Sequence, residues 1–250
     1  MCGIVGVFGT DELFTKLHRA GHKIQHRGSD GTGVIVSNGS RFLLPSPHRV
    51  LGSVTESYDA WPGAKPEDAL LGMLHIRYGT SGNRKSYDNI QPFFVDSSYH
   101  GRFFLIHNGD TQDIDPIRER LQKEKGIGFS SDSDSEVLAH LIGQCDKPTL
   151  PEALAAALSE VRSAYAIIIA TPDSLIATRD PYGYRPLSIG KFPHGGYILS
   201  SETCSFEIVG AEFVREVAPG EVVVIDKNGM RRALRSTSAQ KPPHLQQCIF

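Results

Sequence analysis

The chain opens on an apolar run, Ile4-Val5-Gly6-Val7-Phe8, with no polar residue breaking it. A short run without alternation predicts a strand buried on both faces. Residues 11–27 follow with apolar positions at Leu13, Phe14, Leu17, Ala20 and Ile24, a helical spacing with Thr10 or Asp11 as cap and Gly28 and Gly31 as stops. Residues 32–37, 69–78 and 102–107 read as strands, the last ending abruptly at Asn108-Gly109, whereas 39–65, with Pro45, Pro47 and Pro62, reads as irregular. Helices are expected over 114–125, with Asp113 as cap and Gly126 as stop, from the polar cluster 131–136 through Ile142, and over 151–161. The second half is strand-rich, at 164–171, 175–177 and 197–200, and closes on a hairpin in which Lys227-Asn228-Gly229 joins 221–226 to 230–234. Strands outnumber helices and come in runs, which predicts an α+β fold of stacked antiparallel sheets with helices outside.

At 250 residues the chain is long enough for one large core or at most two small domains. A net charge of −2 offers no electrostatic attraction to nucleic acid or to an anionic membrane. The longest strongly apolar run, 164–170, is far short of the ~18 residues of a membrane span. The start lacks the basic and apolar regions of a secretion signal, so a cytoplasmic protein is expected. Cys2, Cys145, Cys204 and Cys248 are scattered with no C-x-x-C pair, which argues against both a metal site and a disulfide framework.

Five residues carry candidate chemistry. If Met1 is removed, Cys2 holds a thiol and an α-amine on one residue, a nucleophile with its own base. Such an amine titrates near ~7.7–8.0, close to working pH. Arg77 ends a strand, where its planar guanidinium suits a carboxylate or serves a surface ion pair. Asn108 and Gly109 offer an amide and a backbone N–H, two donors for an oxyanion or merely a turn. Asp134 opens a helix, where it could accept a substrate ammonium or cap the helix. Together they describe a pocket for an α-amino acid whose side-chain carbonyl meets Cys2, although spacing alone does not bring them together.

Cys2-Gly3-Ile4-Val5-Gly6, Gln25-His26-Arg27-Gly28, His75-Ile76-Arg77-Tyr78, His107-Asn108-Gly109 and Ser133-Asp134-Ser135-Glu136 occur in the order seen in class II glutamine amidotransferases, which the chain resembles over essentially its whole length. Arg179 to Leu187, Ser201-Glu202 and Pro219-Gly220-Glu221 resemble the amidophosphoribosyltransferase branch, which opens purine synthesis. The resemblance implies an N-terminal-nucleophile fold, a four-layer αββα sandwich of two antiparallel sheets. It implies Cys2 as nucleophile, Asn108 and Gly109 as oxyanion hole, Arg77 and Asp134 on the glutamine α-groups, Thr80 lining the glutamine pocket, and Arg27 and Gly28 in the loop beside the nucleophile. Glutamine would be hydrolysed to glutamate and ammonia through a thioester. The expected glutaminase domain covers 1–236, and 237–250 resembles the start of a linker to a phosphoribosyltransferase domain absent from the sequence. Any Mg2+ would belong to that domain, and neither an iron–sulfur cluster at Cys248 nor another cofactor or metal is expected. The partners implied are glutamine and a phosphoribosyltransferase domain or subunit receiving ammonia, and homo-oligomer formation is compatible with the family. Ser29, 110–113, Gly79 and Ser81 depart from the family pattern, sparing the residues of the proposed chemistry. The alternatives are a non-catalytic regulatory or assembly module of the same fold, and a glutaminase serving another ammonia acceptor.

Overall fold

The computed structural model describes residues 1–79 and 86–235. Two antiparallel sheets lie face to face. The first contains β1 (Gly3–Phe8), β2 (Gly31–Ser37), β3 (His48–Val50), β4 (Leu71–Arg77), β9 (Ser188–Lys191), β10 (Tyr197–Ser200) and β11 (Glu212–Glu216). The second contains β5 (Phe93–Ser97), β6 (Gly101–Thr111), β7 (Ser163–Ala170), β8 (Leu175–Arg179), β12 (Glu221–Asp226) and β13 (Gly229–Arg235). Their orders are β11-β9-β10-β1-β4-β2-β3 and β13-β12-β8-β7-β6-β5.

Strand periodicity sorts the apolar residues into three layers. Ile4, Phe8, Met73, Phe104, Ile106 and Ile168 fill the space between the sheets. Val5, Val7, Leu74 and Ile76 point outward from the first sheet onto α1 (Leu13–Lys23), α2 (Val54–Asp59) and α6 (Cys204–Glu207). Phe103, Leu105, Ile167 and Ile169 point outward from the second sheet onto α3 (Asp115–Lys125), α4 (Asp134–Gly143) and α5 (Leu150–Ser159). The result is the expected four-layer αββα sandwich, and β1 is apolar without alternation because both of its faces are covered. Gly6 lets the sheets close here, since a Cβ would stand 3.2 Å from Leu175 Cδ1.

Several local expectations need correction. Residues 39–65 are not wholly irregular: β3 and α2 lie within them, and α2 is held by a Ser53–Glu56 capping box. Neither Thr10 nor Asp11 caps α1; Glu12 stands there in the left-handed region (φ 47°), and Thr10 and Asp11 bind Lys16 Nζ instead. Asp113 does not cap α3, because it too is left-handed (φ 55°) and Ile114 takes the cap position. Asn108-Gly109 is not a strand end: β6 continues to Thr111, with Gly109 opposite Tyr165 and Thr111 opposite Ser163 on β7. The hairpin falls as expected, with Asp226 paired to Gly229. Thr80 and 236–250, including Cys248, lie outside the described residues. Among the described residues no helix is long and apolar enough to cross a membrane.

Candidate active site

β1 is flanked in its sheet by β4 and β10, with Gly3 opposite Ile76 and Val5 opposite Ser200. That pairing carries the chain start to the end of β4, where Arg77 stands. β6 faces β1 and β4 across the inter-sheet core, and α4 packs on the outer side of β6. One recess at this seam is lined by Cys2, Arg77, Tyr78, Gly79, Gly109 and 132–135, with Asn89 and Gln91 at its base. Of the residues singled out from the sequence, Cys2, Arg77, Gly109 and Asp134 meet there. Arg27, Gly28 and Asn108 lie beside it, not in its lining.

The Cys2 thiol donates to the Tyr78 carbonyl at 3.7 Å. Burial pushes its pKa up, and the nearby Asp134 carboxylate adds to that, while the Tyr78 hydrogen bond, the chain-terminal amine and Arg77 oppose it. The Met1 amine is pushed down, first by burial and then by Arg27 and Arg185. Both shifts disfavour proton transfer from the thiol to this amine, which belongs to Met1 and not to Cys2.

Asp134 is the first residue of α4, but Ser133 is the cap, accepting from Ser135 N. Asp134 Oδ2 accepts from Thr111 N at 2.9 Å, and Oδ1 accepts from Ser135 Oγ at 3.2 Å. The carboxylate is thereby fixed to β6, which carries Asn108 and Gly109. The loop before it is held equally firmly. Glu136 accepts four bonds from the backbone and hydroxyls of Ser130 and Ser131, while Arg118 donates to the carbonyls of Ser131 and Ser133. Burial disfavours the Glu136 charge, yet those four bonds prevail and hold its carboxyl below the usual range.

Asn108 is 1% exposed, and its Nδ2 has no hydrogen-bond partner among the described residues. An unmet buried donor normally costs ~1–3 kcal/mol. A Cβ on Gly109 would stand 2.2 Å from His107 Nε2 and 2.4 Å from Ala164 O, so only glycine lets the strand backbone reach the recess.

Arg27 and Gly28 serve the site from behind. Gly28 abuts the end of β4, where a Cβ would fall 2.4 Å from the Arg77 carbonyl oxygen. Arg27 Nε donates to the Cys2 carbonyl at 2.9 Å, and Nη1 donates to Glu202 at 2.5 Å. Ser201 exchanges two bonds with Ile4, its N–H to the Ile4 carbonyl and the Ile4 N–H to its Oγ. Sequence reading assigned no role to Ser201 or Glu202; their signal was an acid directly after a buried strand paired to β1. Asp180 was missed likewise. Fully buried, it accepts from the N–H groups of Tyr182, Tyr184 and Arg185, and so shapes the loop whose Arg185 reaches Met1. Among the described residues no group of three or more His, Cys, Asp or Glu is placed to hold a metal ion.

The family model for a glutamine amidotransferase domain matches residues 80–207. The chain is 36% identical over 231 residues to an amidophosphoribosyltransferase of Bacillus subtilis, covering 92% of this chain and 47% of that protein. It is 38% identical over 229 residues to an amidophosphoribosyltransferase of Staphylococcus aureus, covering 92% of this chain and 45% of that one. The solved glutamine phosphoribosylpyrophosphate amidotransferase of B. subtilis, complexed with ADP and GMP, superposes with a TM-score of 0.82 at 34% identity, over 94% of this chain and 50% of that chain. The chain thus spans about half the length of the curated relatives it matches.

Proposed function

This chain belongs to the class II glutamine amidotransferase domain family, and from that premise we propose that it is the glutaminase half of an amidophosphoribosyltransferase acting in purine biosynthesis. The observation that carries the reading is the convergence of Cys2, Arg77, Gly109 and Asp134 on one recess from β1, β4, β6 and α4. A cation and an anion in one recess with a thiol fit the carboxylate and ammonium of a free α-amino acid.

Removal of Met1 leaves the α-amine on Cys2. Glutamine enters with its α-carboxylate on Arg77 and its α-ammonium on Asp134, which fixes the carboxamide for attack. The Cys2 thiol gives its proton to the α-amine and its sulfur adds to the carboxamide carbon. The charge that develops on oxygen is met by Asn108 Nδ2 and the Gly109 N–H. The amine returns the proton to the departing nitrogen, ammonia leaves, and a thioester remains. Water then adds to the thioester, the C–S bond breaks, and glutamate and the free thiol are regenerated. Thr80 belongs to the glutamine pocket in this reading. The chemistry draws on thiol, amine and carboxamide groups alone, and any Mg2+ belongs with the transferase half.

The relatives' names support one acceptor for the ammonia, a phosphoribosyltransferase domain or subunit. Residues 1–236 form the glutaminase unit and 237–250 begin the connection. The setting is the cytoplasm.

Glutamate release from glutamine tests the reading, using chain whose intact mass shows Met1 removed, supplied with its transferase half where one exists. Turnover that disappears in Cys2→Ser is the expected result. Undiminished turnover in Cys2→Ser, or none from the folded and processed protein with its transferase half, overturns it.

A further inference from the structure

We propose that Glu202 is a positioning residue for the nucleophile: it holds Arg27, and through Arg27 the main chain of Cys2, in the attacking geometry. The proposal rests on the reading of Cys2 given above. Glu202 follows β10 by two residues, and the Ser201–Ile4 exchange locks that end of β10 to the start of β1. The carboxylate is therefore delivered beside the chain start by two hydrogen bonds, one between main chains and one accepted by the Ser201 hydroxyl. Its Oε1 accepts from Arg27 Nη1 at 2.5 Å and its Oε2 from His26 Nε2 at 3.0 Å. Arg27 in turn donates from Nε to the Cys2 carbonyl at 2.9 Å. The guanidinium side chain is 6% exposed, so no water shell can replace Glu202 as its counter-charge.

Holding the Cys2 carbonyl fixes the peptide plane from which the Cys2 α-amine and thiol project. Charge matters as well as direction. With Met1 present the terminal amine is that of Met1, faced by Arg27 and Arg185, and the thiol is faced by Arg77 and Asp134. Glu202 is itself faced by Arg27, His26 and Cys204. Once Met1 is removed the amine stands on Cys2, whose carbonyl Arg27 Nε already touches, and a cation that close lowers the amine's pKa. Glu202 offsets the Arg27 charge, so it helps set the pH at which the amine becomes a base.

Two variants separate direction from charge. Glu202→Gln keeps an acceptor for Arg27 but deletes the negative charge. The acid limb of kcat/KM for glutamate release then moves to lower pH by about half a unit. Glu202→Ala leaves Arg27 unanchored, and kcat falls by about tenfold or more, while KM for glutamine stays within about twofold because Arg77 and Asp134 are untouched. The rate of Cys2 alkylation by iodoacetamide against pH, mapped by peptide mass, reads the same field without requiring turnover. A shift in Glu202→Gln supports the proposal even if the wild-type protein releases no glutamate, in which case the glutaminase reading alone fails. A folded Glu202→Ala protein that keeps the wild-type kcat, or the wild-type Cys2 alkylation rate where no glutamate is released, overturns the positioning role, and a Glu202→Gln protein with wild-type pH limbs in both assays overturns the charge role whether or not Glu202→Ala folds.

Discussion

Replacing Asn108 by leucine pits the stability of the sandwich against its chemistry. The side chain lies between the sheets, 1% exposed, with an Nδ2 that meets no acceptor among the described residues. A buried donor without a partner costs ~1–3 kcal/mol in the resting protein. Leucine has nearly the same shape and carries no donor, so the folded state is expected to gain from zero to ~2 kcal/mol. In a chain of this size ~1 kcal/mol corresponds to a Tm change of about 2–4 °C, so Tm is expected to hold or rise by a few degrees. Catalysis moves the other way. If Nδ2 waits for the oxyanion, its loss lowers kcat by about 10²–10³, or ~2.7–4 kcal/mol of transition-state stabilisation, with little change in KM. The assays are glutamate release and thermal unfolding on the same Met1-processed preparation. A variant that loses several degrees of Tm, or retains turnover within threefold of wild type (a loss below ~1 kcal/mol), refutes the reasoning: Asn108 would then be a structural amide.

Two further predictions concern the frame of the recess. Gly28→Ala drives a methyl group to within 2.4 Å of the Arg77 carbonyl oxygen, backbone that cannot rotate aside. The substitution is expected to cost ~1–3 kcal/mol in urea unfolding and to lower turnover by about 10²-fold, because Arg77, Tyr78 and Gly79 shift with it; unchanged values would show that the loop yields freely. His75 is fully buried, and burial, reinforced by His107, pushes its pKa from the ordinary 6.5 down to about 3. Below pH 6.5 the unfolded chain therefore takes up a proton that the folded chain refuses until about pH 3, so stability falls as pH drops through that window. At about pH 5 the loss from this one residue is ~2 kcal/mol, and urea unfolding of His75→Leu should show a pH-dependent loss smaller by that amount.

The parts of the fold that were legible from sequence are those where periodicity and length agreed. β1, β2, β4, β7 and the closing hairpin are apolar runs or strong turn signals, and they appear within a residue or two of expectation. β5, β9 and β11 were not seen: β9 and β11 are four or five residues with small or exposed side chains, and β5, although it alternates, is only five residues long. The capping boxes Ser53–Glu56 and Thr149–Glu152 were readable, and the first would have marked α2 inside 39–65. Within the site, each residue taken alone had an ordinary explanation as turn, cap or ion pair. What removed those explanations was tertiary: Ser133 took the cap, β7 paired past Gly109, and antiparallel pairing brought the end of β4 to the start of β1. Glu202 and Asp180 act on backbone far away in sequence, and no local pattern marks such a group.

The two sheets do not share the site's parts evenly. The first supplies Cys2 and Arg77, the nucleophile and the carboxylate grip of the proposed mechanism. The second supplies Asn108 and Gly109, and Asp134 through the helix it carries. Neither half contains a working fragment of the reaction. A newly made chain can therefore form all of its hairpins, and even collapse, while its thiol remains chemically ordinary. The recess is complete only when the sheets seat against each other, so on the proposed mechanism glutamine is not consumed before the fold is finished.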